Sequence, residues 1–148
     1  MMQVHGTSVV VNGVGVLLRG APGIGKSDLA LRLIDGGAHL VADDQTALSR
    51  ENNFVVMTSN AVLEGLLEVR GVGILAVPCT PRARLGLVVD LVPLSQIERM
   101  PEKEYCELLG MRVRLLKLPP FTASTAAKLR LAVASLDLDS PPRQRSRS

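Results

Sequence analysis

A chain of 148 residues with 47% apolar side chains is long enough for one domain with its own core. Two Phe, one Tyr and no Trp leave too little stacking surface for a single-stranded nucleic-acid binder, and the net charge of +3 owes much to Arg143, Arg145 and Arg147 near the end, so the folded body is nearly neutral. Two isolated cysteines (Cys79 and Cys106) have no metal or redox spacing, no apolar run reaches the length of a membrane span and the first residues carry no leader pattern, so the expectation is a cytoplasmic protein with neither a nucleic-acid nor a membrane partner.

Residues 7–11 read as the first strand. Asn12-Gly13 follows, a strong hairpin signal because both positions tolerate positive φ. Residues 14–18 read as a buried strand with an antiparallel partner just before it. That strand runs into Gly20-Ala21-Pro22-Gly23-Ile24-Gly25-Lys26-Ser27, which has the form G-x-x-x-x-G-K-S of a phosphate-binding P-loop. Its glycines let backbone N–H groups approach phosphate oxygens, Lys26 supplies a point charge, and the Ser27 hydroxyl can ligate Mg²⁺. Residues 27–34 read as a helix with Leu29, Ala30, Leu33 and Ile34 on one face, stopped by Gly36-Gly37. Its positive N-terminal end faces the anion. From residue frequencies, a chance match of this motif in so short a chain is roughly one in several hundred.

Residues 39–42 read as a short strand ending in Asp43-Asp44. Residues 46–48 and 54–58 flank a hairpin turn at Glu51-Asn52-Asn53, and residues 66–69 and 74–77 flank a turn or bulge at Arg70-Gly71-Val72-Gly73. Residues 78–84 read as a loop, 85–92 as a buried strand, 95–99 as a helical turn, 102–109 as a short helix and 111–118 as an edge strand broken by Pro119-Pro120. Thr122 or Ser124 caps a final helix to about residue 136, with Ala126, Leu129, Val133 and Leu136 on its core face. Residues 140–148 have no apolar side chain to bury and read as a disordered basic tail, leaving residues 1–139 as the domain. The antiparallel partner beside the P-loop strand points to a mixed α/β sheet rather than an ordinary doubly wound one.

A P-loop that transfers phosphate to a hydroxyl needs an acid for the metal and a group that accepts the proton. Asp43-Asp44 is one source, although neighbouring strand residues face opposite ways, so only one can face the phosphates unless the strand has already ended. Glu68 is a second: it shares a strand face with Arg70, and a carboxylate beside a guanidinium stays ionised as a metal ligand must. Asp90 is a third, since an apolar strand ending in Asp is the usual form of a Walker-B acid. His5 is either a proton carrier or an ordinary exposed residue, and His39 reads as structural. From spacing alone Asp43-Asp44 leads, and Glu68 and Asp90 stay unranked.

Four segments together resemble one family. Val4-His5-Gly6, the stretch from Gly20 to Ser27, Leu40-Val41-Ala42-Asp43-Asp44 and Leu67-Glu68-Val69-Arg70-Gly71-Val72-Gly73-Ile74 are similar to the catalytic domain of HPr kinase/phosphorylase, a bacterial enzyme acting on a serine of the phosphocarrier HPr. The resemblance covers roughly residues 4–118, and without the family's N-terminal domain the chain looks like a short form. It implies a mixed sheet of the phosphoenolpyruvate-carboxykinase type. It implies ATP held by Lys26 and the loop from Gly20 to Ser27, and Mg²⁺ held by Ser27 and Glu68. It further implies Asp44 as the general base with Asp43 beside it and His5 assisting, Arg70 within the signature, and a structural role for Asp90. By the same resemblance the partner is an HPr-type phosphocarrier, the assembly is a homo-oligomer (hexameric in the family), and the helix over 122–136 is a docking element.

Two departures bear on the reaction. The family's Y-x-R-L-G segment has Glu107 or Leu108 in place of its arginine, whose role is either lost or moved to Arg82 or Arg84, and Pro119-Pro120-Phe121-Thr122 replaces the family's P-x-G-R-N. The kinase direction is therefore expected ahead of the phosphorylase direction. The rival readings are a nucleotide-binding sensor without transferase activity and a small-molecule P-loop kinase using Asp90.

Overall fold

The computed structural model describes residues 1–139, and the tail expected over 140–148 lies outside the described residues. Among the described residues the strands are β1 (Met2–His5), β2 (Thr7–Val11), β3 (Val14–Arg19), β4 (His39–Ala42), β5 (Gln45–Glu51), β6 (Phe54–Thr58), β7 (Leu66–Val69), β8 (Gly73–Ala76), β9 (Arg82–Leu91), β10 (Glu104–Leu108) and β11 (Met111–Leu118). Helix α1 spans Lys26–Asp35 and α2 spans Thr125–Asp139.

β9 is the strand on which the sheet turns. Its first residues, Arg82 to Arg84, pair antiparallel with β6, beyond which lie β5 and β1. From Leu85 onward it runs parallel between β3 and β11. β2 and β4 continue the sheet past β3, and β10 closes the other side. The sheet is mixed, and its parallel strand pairs flank β9. The hairpin at Asn12-Gly13 forms as expected, with φ of +48° and +82° at the two turn residues.

Two cores follow from strand alternation. Val16 and Leu18 of β3 and Leu87, Val89 and Leu91 of β9 pack under Leu29, Leu33 and Leu129 of the helices. Leu17 and Val88 face the other way and meet Leu48, Val55 and Met57 from the β5–β6 arm. β3 and β9 are buried on both faces, which is why they read as continuous apolar runs. Each fully buried leucine contributes about 2 kcal/mol of transfer free energy. α1 ends as its glycines dictate: Gly37 takes φ +109°, and the Ala38 N–H donates back to the Leu33 carbonyl at 3.0 Å, a Schellman closure.

Three expectations are corrected, and one strand is additional. Residues 102–109 do not form a helix; Glu104–Leu108 is a strand joined to β11 by a turn at Leu109 and Gly110, with φ of +51° and +76°. A leucine at positive φ is uncommon, so the turn gave no local signal. β11 is interior, not an edge, because β10 covers it. β9 begins at Arg82, inside the stretch expected to be a loop. The first residues also form a strand, β1, paired with β5.

Candidate active site

The P-loop joins β3 to α1. Gly23 and Gly25 take φ of +79° and +112°, which side chains with a Cβ avoid. Gly25 is constrained twice, since an added Cβ would stand 2.7 Å from the Phe121 ring. Lys26 is nearly buried, and its ammonium straps the loop by donating to the Gly20 carbonyl at 2.9 Å and the Ala21 carbonyl at 3.2 Å. Two of its three donors are thus used and one remains for a phosphate oxygen.

Asp43 links three elements. Its Oδ1 accepts from the Ser27 hydroxyl at 2.7 Å and the Thr7 hydroxyl at 3.0 Å, and its Oδ2 accepts from the Glu68 N–H at 3.2 Å. The helix start, β2 and β7 therefore meet on one carboxylate. Asp44 differs. β4 has ended at Ala42, and Asp44 sits at φ +68°, with the Gln45 N–H donating across it to the Asp43 carbonyl at 2.7 Å. This tight turn breaks strand alternation, so both carboxylates border the same region. Asp tolerates the left-handed conformation better than most residues.

The Asp44 side chain is 71% exposed, with the His5 Nδ1 3.9 Å from its Oδ1. β1 delivers His5 there because Gly6 passes close to β3; an added Cβ would meet Leu17 and the Leu18 carbonyl within 3 Å. A cleft of about 370 Å³ gathers Gly23, Gly25, Lys26 and Ser27 with Asp44, Glu68, Arg70 and Phe121. That volume suits a small-molecule ligand. The hydroxyl of Ser27 with the carboxylates of Asp43 and Glu68 gives hard oxygen donors, a chemistry that fits Mg²⁺. Among the described residues no three acidic, His or Cys side chains form a closed cation cage. Mg²⁺ characteristically completes its shell with phosphate and water oxygens.

Other expected residues lie elsewhere. Asp90 is not at the cleft: it is clamped by Arg19, Nε to Oδ1 at 2.7 Å and Nη2 to Oδ2 at 3.0 Å. Both residues sit on the sheet face opposite α1, following Leu17 and Val88 by alternation. The Asp90 hydrogen bond raises the Arg19 pKa against the opposing effect of burial, and burial pushes up the Cys106 thiol nearby. Arg82 pairs with Glu51 at 2.5 Å and Arg84 lies 3.7 Å over the Phe54 ring, so neither lines the cleft; Arg70 does. His39 pairs with Val10 in the sheet. Thr7 and Phe121 were missed as site residues. The β2 register places Thr7 beside Asp43, a contact without local signature.

A family model described as the HPr Serine kinase C-terminal domain matches residues 1–138. The chain belongs to that family. Among relatives of this HPr serine kinase domain, the HPr kinase/phosphorylase of Geobacillus thermodenitrificans is 38% identical over 128 residues, covering 78% of this chain and 41% of the relative. That of Clostridium kluyveri is 35% identical over 128 residues, covering 79% and 42%. The solved structure of the Hpr(Ser) kinase/phosphatase from Coxiella burnetii superposes with a TM-score of 0.85 at 26% identity, covering 94% of this chain and 92% of that one. The chain spans about two fifths of the length of the curated relatives it matches. Among the described residues no helix is long and apolar enough to cross a membrane.

Proposed function

We propose that the chain is an ATP-dependent protein-serine kinase acting on an HPr-type phosphocarrier. The observation that carries this reading is an exposed carboxylate, Asp44, at the edge of a cleft whose other wall is a formed P-loop. A protein substrate can reach Asp44, whereas Asp43 is committed to Ser27, Thr7 and the Glu68 N–H.

In the proposed step the target serine oxygen attacks the γ-phosphorus in line, and the bridging oxygen departs with ADP. Asp44 takes the hydroxyl proton, and His5 steadies the carboxylate. Lys26 and the loop N–H groups hold the phosphates and offset their charge. Asp43 positions Ser27, while Ser27 and Glu68 would hold Mg²⁺ and Arg70 adds positive charge at the cleft. Mg²⁺, when bound, supplies charge neutralisation at the phosphate oxygens. In the reverse sense Asp44 would return the proton to the departing serine oxygen. Use of ATP and two free cysteines support a cytoplasmic setting. Exposed Val72, Ile74 and Leu75 on the β7–β8 hairpin support a homo-oligomer, a hexamer by resemblance.

The test is Asp44→Asn. Transfer of labelled phosphate from ATP to HPr should fall by about 10²–10⁴-fold, the usual contribution of a general base. ATP binding by calorimetry should change by less than about twofold, because the P-loop is untouched. Transfer at the wild-type rate would remove Asp44 from the chemistry.

A further inference from the structure

Phe121 lines the cleft and is 67% exposed. The rings of Phe54 and Tyr105 each carry an arginine, at 3.7 and 3.8 Å; the Phe121 ring instead borders Gly25 of the P-loop. The segment that presents it is fixed. Arg32 of α1 donates to the Pro120 carbonyl at 2.5 Å and the Thr122 carbonyl at 3.4 Å. The Thr125 hydroxyl donates to the Pro119 carbonyl at 2.6 Å. The backbone on either side of the ring is therefore held in place before any ligand arrives, which lowers the entropy lost on binding.

Its position relative to the transfer chemistry is set by helix geometry. At 100° per residue, Ser27 and Arg32 project from α1 about 140° apart. Ser27 faces Asp43, next to Asp44 and Glu68; Arg32 faces the segment carrying Phe121. A nucleoside triphosphate with its terminal phosphate on the Ser27 flank and its other phosphates along the loop must send its base toward the opposite flank.

We propose that Phe121 is the platform on which the purine base of the bound nucleotide stacks. This rests on the nucleotide reading above and extends it to the base. Asp28 on the same flank has its Oδ2 engaged by Arg32 at 3.1 Å, and the recognition proposed is stacking. Stacking is tolerant of base identity, because every base offers a π-face. ATP and GTP are accordingly accepted alike.

The test is calorimetric titration of the full chain with Mg-ATP, Mg-GTP and inorganic tripolyphosphate, which has the phosphates without the base. Phe121→Ala should weaken ATP and GTP about tenfold, the scale of one base–aromatic stack, and leave tripolyphosphate within about twofold. ATP affinity equal in wild type and variant overturns the platform alone, as does an equal loss for all three ligands. ATP preferred over GTP by more than about a hundredfold overturns it too, since stacking does not discriminate so strongly. A wild-type chain that binds neither ATP nor tripolyphosphate overturns the nucleotide reading and the platform with it. The sequence has no Trp, so Phe121→Trp places a single indole at this spot. Its emission should respond to ATP and GTP but not to tripolyphosphate, and an equal response to all three overturns the proposal.

Discussion

Asp43 accepts hydrogen bonds from three elements, while Asp90 is held by one arginine on the opposite sheet face. Both follow apolar strand residues, and one-dimensional spacing gives Asp90 the look of a Walker-B acid. The difference lies in the turn after β4, which ends at Ala42 and is followed by Asp44 at φ +68°. The Asp90–Arg19 pair is two charge-assisted bonds with roughly a quarter to a third of each side chain exposed. Asp90→Asn should therefore cost about 1–3 kcal/mol of stability, read as a lower urea midpoint. ATP binding and phosphate transfer by the folded variant should match the wild type. A variant of undiminished stability that had lost transfer would return Asp90 to the reaction.

At the level of elements, the legible ones were those with a local signature. Asn12-Gly13 announces its hairpin, α1 carries a 3.6-residue apolar period closed by two glycines, and β3 and β9 are apolar throughout because both faces are covered. β10 was read as a helix because its turn uses Leu109 at φ +51°, a conformation stabilised here by packing of Leu109 against the second core. β11 alternates like an edge strand, but β10 pairs along it. Gly15 holds a less visible requirement. It stands where the β3–β9 register shifts, and an added Cβ would overlap the Arg84 carbonyl on β9. Gly15→Ala should destabilise the fold by more than about 3 kcal/mol, since backbone and not a flexible side chain must move. Thermal unfolding checks this; a change in Tm of under about 2 °C would show that β9 can shift freely.

For the molecule as a whole, ligand binding and folding are linked. α1, β2, β4 and β7 meet around Asp43 and Ser27, so a nucleotide gripped by the loop stabilises elements distant in sequence. At a hundred times its Kd, ATP with Mg²⁺ should add about 2.7 kcal/mol, raising Tm by about 5–10 °C for a chain of this size. Lys26→Ala should remove most of that rise, as seen by calorimetry with and without nucleotide; an undiminished rise would mean that the nucleotide binds elsewhere. The motif from Gly20 to Ser27, the acid pair Asp43-Asp44 and the signature around Glu68 are visible in the amino-acid order because phosphate chemistry demands those residue types at short, fixed spacings. The joining of Ser27, Asp43, Thr7 and Glu68, the removal of Asp90 to the other face and the arrival of Phe121 beside Gly25 depend on contacts between residues up to 96 positions apart along the chain. Strand register and helix packing set those contacts, and no local propensity encodes them.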